Sequence, residues 1–233
     1  MNELTILSGK GGTGKTTVTS ALLSLAGEAV CCDCDVDAPD MHLILHPDVK
    51  EEFPFESGWQ MDVDNQRCRE CNLCVDYCRY DAVSQNEYGQ YVINNLLCEG
   101  CRLCERICPE QAIVAEQIKA NRWYVSSCRF GHFLHAKMAP GEENSGRLVT
   151  AVRKKAREIA GNEGIELIIS DGPPGIGCPA ISSVSGTSRV LMVIEPSLSG
   201  LHDAERLYGL VSQFQVPAFA IINKFDINPG ITG

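Results

Sequence analysis

The sequence GKGGTGKT at residues 9–16 decides the fold class of this chain. It fits the pattern G-x-x-x-x-G-K-[ST], which forms a phosphate-binding loop between a strand and a helix. Glycines let backbone N–H groups turn toward phosphate oxygens, and the helix that follows directs its positive end at the same anion. We therefore predict a nucleotide site in which Lys15 reaches the β- and γ-phosphates and the Thr16 hydroxyl binds Mg²⁺.

The segments around this loop have the hydrophobic patterns that such a site needs. Residues 4–7 predict a short buried strand, residues 15–26 a helix that ends at Gly27, and residues 29–34 a second buried strand. A strand, a helix and a second strand in this order form the first unit of a parallel sheet. The expected fold class is therefore α/β.

The same pattern resumes later in the chain. One or two strands are expected at residues 122–137, and single strands at 165–170, 190–194 and 218–222. Helices are expected from Leu148 to a stop at Gly161 and over residues 203–214, with a loop at 140–146. No closing helix is expected after the last strand.

The composition indicates a reducing compartment. The chain has 13 cysteines, but Met1-Asn2-Glu3 leads into a strand without the basic and apolar regions of a secretory signal. Cysteines in such a chain are typical of metal sites rather than of a disulfide scaffold, so we expect a cytoplasmic protein. The net charge of −10 argues against a nucleic-acid partner and against stable membrane anchoring.

Eight of the cysteines form two runs with the same spacing, C-x₂-C-x₂-C-x₃-C. This is the spacing of bacterial ferredoxins with two [4Fe-4S] clusters, in which the fourth cysteine of each run binds the other cluster. The spacing predicts one cluster on Cys68, Cys71, Cys74 and Cys108. It predicts a second cluster on Cys98, Cys101, Cys104 and Cys78.

The cysteine runs also suggest a domain boundary. They interrupt the α/β pattern, so we predict an inserted small α+β ferredoxin-like domain at residues 62–118, between two parts of a nucleotide-binding domain at 1–61 and 119–233. Arg79 stands where proline is usual, which we expect to affect the local turn or the potential but not the ligands. Zinc is disfavoured, since its sites commonly use two separated C-x-x-C pairs, and a [3Fe-4S] species in one site stays open.

A second lysine early in the loop, Lys10, indicates the family. The sequence KGGTGKTT resembles the deviant Walker A loop of the MinD/ParA family, which includes the nitrogenase iron protein. The resemblance implies slow ATP hydrolysis in a homodimer, or in a heterodimer with a paralogue, in which Lys10 reaches the partner's nucleotide. It implies that ATP or ADP is held by Gly11, Gly12, Thr13, Gly14, Lys15, Thr16 and Thr17.

Polar residues at three strand ends extend the resemblance. The carboxylate of Asp35, with Asp33 as the alternative, resembles the first switch of the family, which orients water. Asp171 opens the sequence DGPPG and resembles the second switch, which holds Mg²⁺ through water. Asn223 resembles the contact on the adenine side. The expected catalytic residues are thus Lys10, Lys15, Asp35 and Asp171.

The whole arrangement is similar to a subgroup of MinD/ParA ATPases that contain an inserted ferredoxin domain, including the stretches at 140–146 and 173–179. The resemblance implies that a nucleotide-driven dimer switch gates electron transfer to a redox or metallocofactor partner protein. Assembly or transport of clusters or metallocofactors is the alternative, and MinD-like spatial organisation comes third. Family members continue beyond the strand at 218–222, so a sheet edge is expected to be exposed. Cys128 and Cys178 have no assigned role.

Overall fold

The computed structural model describes residues 1–119, 121–138 and 145–232, which form two compact units. The larger unit comprises residues 1–55, 122–138 and 145–232. The smaller unit comprises residues 56–119 and 121, which include the segment 62–118. The loop predicted at 140–146 lies outside the described residues except for its last two positions, which begin a helix.

The elements are numbered in chain order through both units. The strands are β1 (Asn2–Ser8), β2 (Val30–Asp33), β3 (Asp48–Phe55), β4 (Trp59–Val63), β5 (Val83–Gln85), β6 (Tyr91–Ile93), β7 (Ile113–Gln117), β8 (Asn121–Cys128), β9 (Gly131–Lys137), β10 (Leu167–Pro174), β11 (Arg189–Ile194) and β12 (Ala218–Ile222). The helices are α1 (Lys15–Ala26), α2 (Met41–Leu45), α3 (Leu73–Asp76), α4 (Leu103–Ile107), α5 (Ser145–Glu163), α6 (Cys178–Val184), α7 (Leu198–Gln213) and α8 (Pro229–Thr232).

The larger unit is organised around an eight-stranded sheet in the order β12-β11-β1-β10-β2-β9-β8-β3. β1 pairs in parallel with both β10 and β11, and parallel pairing continues outward to β2, β9 and β12. β8 pairs with β9 in antiparallel fashion, with Arg122 opposite Lys137. This topology confirms the predicted α/β class. In open parallel sheets of this kind, ligands bind beyond the carboxyl ends of the strands.

Alternate residues of β2 belong to different apolar clusters. Cys32 shares a buried cluster with Val149 and Val152 of α5. Cys31 shares another with Leu23 of α1 and Met41 of α2. Successive side chains of a strand point to opposite faces of the sheet, so helices cover both faces of β2. These fully buried cysteines serve as small core hydrophobes.

The helices α1 and α5 each end next to a glycine with positive φ. α1 has the predicted bounds and ends at Gly27, where φ is 76°. The predicted stop at Gly161 is wrong: α5 continues to Glu163, and Gly164 follows with φ of 73°. A glycine inside a helix costs only about 0.5–1 kcal/mol, so Gly161 is tolerated there.

Other boundaries also differ from those predicted. The strand expected at 165–170 is β10, which extends through Asp171, and the helix expected from residue 203 begins earlier, as α7. The short helix α8 follows the last strand, where none was expected. Among the helices that the structure describes, none combines the length and the apolar composition needed to cross a membrane.

The smaller unit is built from a repeated element. β4 pairs with β7 and β5 with β6, both in antiparallel fashion. The short helix α3 follows Asn72, and α4 follows Arg102, and these two residues have φ of 66° and 61°. The core of the smaller unit combines apolar side chains with partly buried cysteines. Its buried residues are Met61, Val63, Val83, Tyr91 and Ile113.

Candidate functional site

The phosphate-binding loop connects β1 to α1 and borders an open cavity of about 660 Å³. Gly14, just before α1, has φ of 95°, and a Cβ atom there would collide with the Asn223 amide. The positive φ favours glycine at this position, and a larger residue would also displace the Asn223 side chain. The cavity is within the size range of ligand pockets. Its lining residues are Gly11, Gly12, Gly14, Lys15, Thr16, Thr17, Asp35, Asp37, Ala38, Asp40, Pro173, Pro174, Gly177 and Pro179.

Lys15 brings a positive charge to the floor of this cavity. Its side chain is only 7% exposed, and its Nζ lies 4.0 Å from Asp35 Oδ2. The helix α1 begins at this residue, so the unpaired N–H groups of its first turn lie in the same place. The arrangement suits the phosphate groups of a nucleotide, since lysine and a helix start both favour an anion.

Thr16 lies between two carboxylates. Its Oγ1 is 2.7 Å from Asp171 Oδ2 and 3.0 Å from Asp40 Oδ1, although one hydroxyl can donate only one hydrogen. Thr19 donates to the other oxygen of Asp171 at 2.8 Å. Hydroxyl and carboxylate oxygens are the ligands that Mg²⁺ prefers, so this group fits that ion. Asp40 was not predicted as a site residue. Its only signal in the sequence is that it follows Asp33, Asp35 and Asp37.

The acidic residues at the end of β2 have different surroundings. Asp35 borders the cavity, and burial raises its pKa to about 6 although Lys15 opposes the shift. Asp33 is buried, where it accepts the backbone N–H groups of Asp35 at 3.1 Å and of Met41 at 3.3 Å. Burial raises the pKa of Asp33 well above its usual range. Asp33 therefore shapes the loop, and of these two residues only Asp35 lines the cavity.

Asp171 is almost fully buried next to the P-loop. Burial raises the pKa of its carboxyl group, and the hydrogen bonds from Thr16 and Thr19 act in the opposite direction. Its backbone carbonyl accepts the N–H of Cys34 at 2.8 Å. Asp171 thus joins β10 to both α1 and the segment that leads to Asp35.

Lys10 and Asn223 contact their own chain outside the cavity. The Nζ of Lys10 donates to Glu195 Oε1 at 2.9 Å. The Nδ2 of Asn223 donates to the carbonyl of Thr13 at 2.8 Å, and its neighbour Lys224 donates to the carbonyl of Gly12 at 2.8 Å. Asn223, expected on the adenine side, therefore braces the backbone of the P-loop in this structure.

The cysteines of the smaller unit line two separate cavities. One has a volume of about 240 Å³ and is lined by Cys78, Cys98, Cys101 and Cys104, among other residues. The second has a volume of about 20 Å³ and is lined by Cys68, Cys71, Cys74 and Cys108, among others. Each cavity thus contains three cysteines of one run and the fourth of the other. None of the cysteines forms a disulfide in the part of the chain that the structure describes.

A tight site for one metal ion is absent from the described residues, since no group of three or more His, Cys, Asp or Glu side chains is arranged to hold one. A tetrahedral zinc ion would draw its sulfur ligands to about 2.3 Å from itself. The two cysteine sets are therefore not arranged as mononuclear sites.

The chain was compared with known proteins. The family model described as the CobQ/CobB/MinD/ParA nucleotide binding domain matches residues 4–232. An uncharacterised protein of Methanocaldococcus jannaschii is 35% identical over 231 residues, which cover 97% of this chain and 79% of that protein. The septum site-determining protein MinD of Thermotoga maritima is 25% identical over 231 residues, covering 96% of this chain and 64% of that protein.

A solved structure shares the fold. The septum site-determining protein MinD of Pyrococcus horikoshii, complexed with Mg-ADP, has a TM-score of 0.50 at 17% identity. The alignment covers 97% of this chain and 72% of that chain. At this identity the likeness shows the fold alone.

Proposed function

Because this chain belongs to the CobQ/CobB/MinD/ParA nucleotide-binding domain family, whose members are generally ATPases, we propose that it binds and hydrolyses Mg-ATP. We further propose that it carries two [4Fe-4S] clusters and couples nucleotide-driven switching of a dimer to electron transfer toward a partner redox or metallocofactor protein. The observation that carries the second part is the division of eight cysteines between two cavities in the crossed pattern.

The nucleotide chemistry follows from the side chains around the P-loop cavity. Lys15 and the start of α1 bind the phosphates and stabilise the charge that develops on the transferred phosphoryl group. Thr16 and Asp171 would hold Mg²⁺. Asp35, held by Asp33 and close to Lys15, orients the attacking water. The water oxygen bonds to the γ-phosphorus as the bond from that phosphorus to the β–γ bridging oxygen breaks, and ADP, inorganic phosphate and a proton of the water leave.

The number of cysteines at each cavity suits an iron–sulfur cluster. A [4Fe-4S] cluster takes four separate cysteine thiolates, and each cavity offers four. The proposed ligands are Cys68, Cys71, Cys74 and Cys108 for one cluster, and Cys98, Cys101, Cys104 and Cys78 for the other. When bound, such clusters supply one-electron transfer at a potential set by nearby charges, hydrogen bonds and solvent.

Apolar residues pack beside most of these cysteines. Met61 and Val83 share one apolar cluster with six of the eight cysteines, whereas Cys71 and Cys101 are exposed. The guanidinium of Arg102 lies 4.1 Å from the ring centre of Trp59 and borders the larger cavity. Arg102 also donates to Glu105 at 2.7 and 3.0 Å, so a carboxylate offsets its charge beside the cavity.

The experiment that tests this function uses the whole protein, reconstituted without oxygen. Iron, sulfide and ATP hydrolysis are measured first. Electron transfer from the dithionite-reduced protein to a one-electron dye is then measured with and without Mg-ATP, with Lys15→Met as the matched variant. The proposal predicts that Mg-ATP changes the rate of transfer and that Lys15→Met abolishes this change. Transfer of iron to an apo-ferredoxin, with ATP-independent electron transfer, would instead indicate an assembly carrier.

A further inference from the structure

The ammonium group of Lys10 is fully engaged within its own chain. Its Nζ lies 2.9 Å from Glu195 Oε1, 3.2 Å from Ser197 Oγ and 3.3 Å from Ser199 Oγ. A lysine ammonium has three N–H donors, so these three acceptors account for all of them. The Lys10 side chain is 30% exposed and that of Glu195 is 18% exposed, so the ion pair is partly shielded from solvent.

Glu195 joins Lys10 to a second lysine. Its other oxygen, Oε2, accepts a hydrogen bond from Lys224 Nζ at 2.8 Å. Hydrogen bonds from Lys224 and then from Lys10 lower the pKa of Glu195 to about 2. The carboxylate is therefore ionised at neutral pH, and each of its oxygens serves one lysine.

The acceptors of Lys10 lie at the end of β11 and at the start of α7. Glu195 directly follows β11, and Ser197 caps the start of α7 by accepting the N–H of Gly200 at 3.0 Å. A Cβ atom on Gly200 would collide with the carbonyl of Glu195, so glycine lets the helix begin this close to the strand. Two of the three acceptors of Lys10 are thus placed by the end of β11 and by the cap of α7.

We propose that Glu195 is a positioning residue that holds Lys10 in its own chain, in competition with the phosphate groups of a nucleotide across a dimer. This inference rests on the dimer switch of the proposed function and on the role that the family resemblance implies for Lys10, which is to reach the partner's nucleotide. The three N–H donors of Lys10 cannot serve Glu195, two serines and a phosphate at once. Dimer formation therefore requires Lys10 to leave Glu195, and the apparent affinity falls by the fraction of chains in which Lys10 is released.

The test is ATP-dependent association of the Glu195→Gln variant. Dimerisation is measured by sedimentation velocity over a range of protein concentrations, with Mg²⁺ and a non-hydrolysable ATP analogue. Glutamine keeps the shape but loses the charge, so we expect half-dimerisation at about two- to fivefold lower protein concentration. The affinity of the dilute, separated chains for a fluorescent ATP analogue is expected to stay the same, which a merely structural role would not predict.

Three variants assign the effect to Lys10. Ser199→Ala removes a weaker acceptor and is expected to shift dimerisation in the same direction by less. Glu195→Gln in a Lys10→Ala background is expected to cause no shift, because the competing lysine is gone. Glu205→Gln, at an exposed site on α7, removes the same charge and is expected to leave dimerisation unchanged.

The outcomes separate this inference from the proposed function. Tighter dimerisation of Glu195→Gln, absent in the Lys10→Ala background, supports the inference. Unchanged or weaker dimerisation of Glu195→Gln, or an equal shift caused by Lys224→Met, overturns the inference and leaves the proposed function standing. A wild-type protein that binds no nucleotide overturns both.

Discussion

Thr16 Oγ1 lies 2.7 Å from Asp171 Oδ2, and this contact joins the first turn of α1 to β10. The two residues are 155 positions apart in the sequence, and both belong to the proposed Mg²⁺ site. The P-loop and the end of β10 that carries Asp171 therefore form one site. Asp40, 3.0 Å from the same hydroxyl, adds a third oxygen-bearing side chain to it.

The first prediction concerns Asp171→Asn. The amide keeps the volume of the side chain but removes the charge that attracts Mg²⁺. We expect the Mg²⁺ concentration for half-maximal ATP hydrolysis to rise by about tenfold or more, since loss of a metal-supporting partner commonly costs 10–100-fold in affinity. Magnesium titration of the hydrolysis rate measures this. Asp226→Asn, at an exposed position, is the control, and an equal shift in that variant would contradict the assignment.

The second prediction concerns pH and Asp35. Burial raises the pKa of this carboxyl group to about 6. Between about pH 4 and pH 6 the folded protein therefore keeps a proton on Asp35, whereas the unfolded chain has lost it. The contribution of Asp35 to stability is therefore fully present below pH 4 and is lost as the pH rises to about 6.

The measurement for Asp35 compares two proteins at two pH values. Urea unfolding of the wild type and of Asp35→Asn at pH 5 and pH 7 gives the difference in the free energy of unfolding. The variant is expected to gain stability relative to the wild type on going from pH 5 to pH 7, while its ATP hydrolysis is lost. A difference that does not change with pH would show that Asp35 does not titrate in this range.

The third prediction tests the crossed assignment of the cysteines. Cys108→Ser alone is expected to remove about half of the bound iron, because one of two clusters loses a ligand. The double variant Cys68→Ser with Cys108→Ser is expected to lose no more than that, since both residues line one cavity. Cys98→Ser with Cys108→Ser affects both cavities and is expected to remove nearly all the iron.

Iron and sulfide analysis of the purified variants measures this. If instead the pair Cys98 and Cys108 behaves like a single substitution, each run binds its own cluster and the crossed assignment is wrong. Cys178→Ser, outside both cavities, is the control and is expected to retain all the iron.

The fourth prediction concerns a buried ion pair in the larger unit. Glu3 is 4% exposed and receives hydrogen bonds from Arg153 at 2.6 Å and from Arg157 at 2.6 Å. Glu3→Gln leaves the buried Arg153 without a counter-charge, which is expected to cost about 3 kcal/mol of folding free energy. Urea denaturation measures the cost. Glu166→Gln, at an exposed position, is expected to change stability by less than about 0.5 kcal/mol.

Local signals in the sequence predicted the P-loop and α1 well. Gly12, Gly14 and Gly27 have positive φ, which favours glycine. Their positions in the sequence mark these turns without knowledge of the fold. The parallel sheet was also predictable, because its buried strands read as short apolar runs between helical segments. The end of α5 was not, since Gly161 and Gly164 carry the same signal and only the packed helix distinguishes them.

Contacts between distant residues could not be predicted in this way. The sequence does not show that Lys10 meets Glu195, 185 positions away, or that Asn223 contacts the carbonyl of Thr13. These contacts arise because β11 lies beside β1 and β12 lies beside β11, so both strands bring their ends to the P-loop. Sequence spacing identified the chemical groups, and the sheet order determined their neighbours.

Electron paramagnetic resonance tests whether one chain couples Mg-ATP to iron–sulfur clusters. The protein is reconstituted without oxygen, reduced with dithionite and measured with and without Mg-ATP, beside an iron and sulfide count. We expect two clusters per chain and a spectrum that changes when Mg-ATP is added, but not in Lys15→Met. Iron no higher than in a protein without the eight cysteines, or a spectrum that Mg-ATP leaves unchanged, would contradict this expectation.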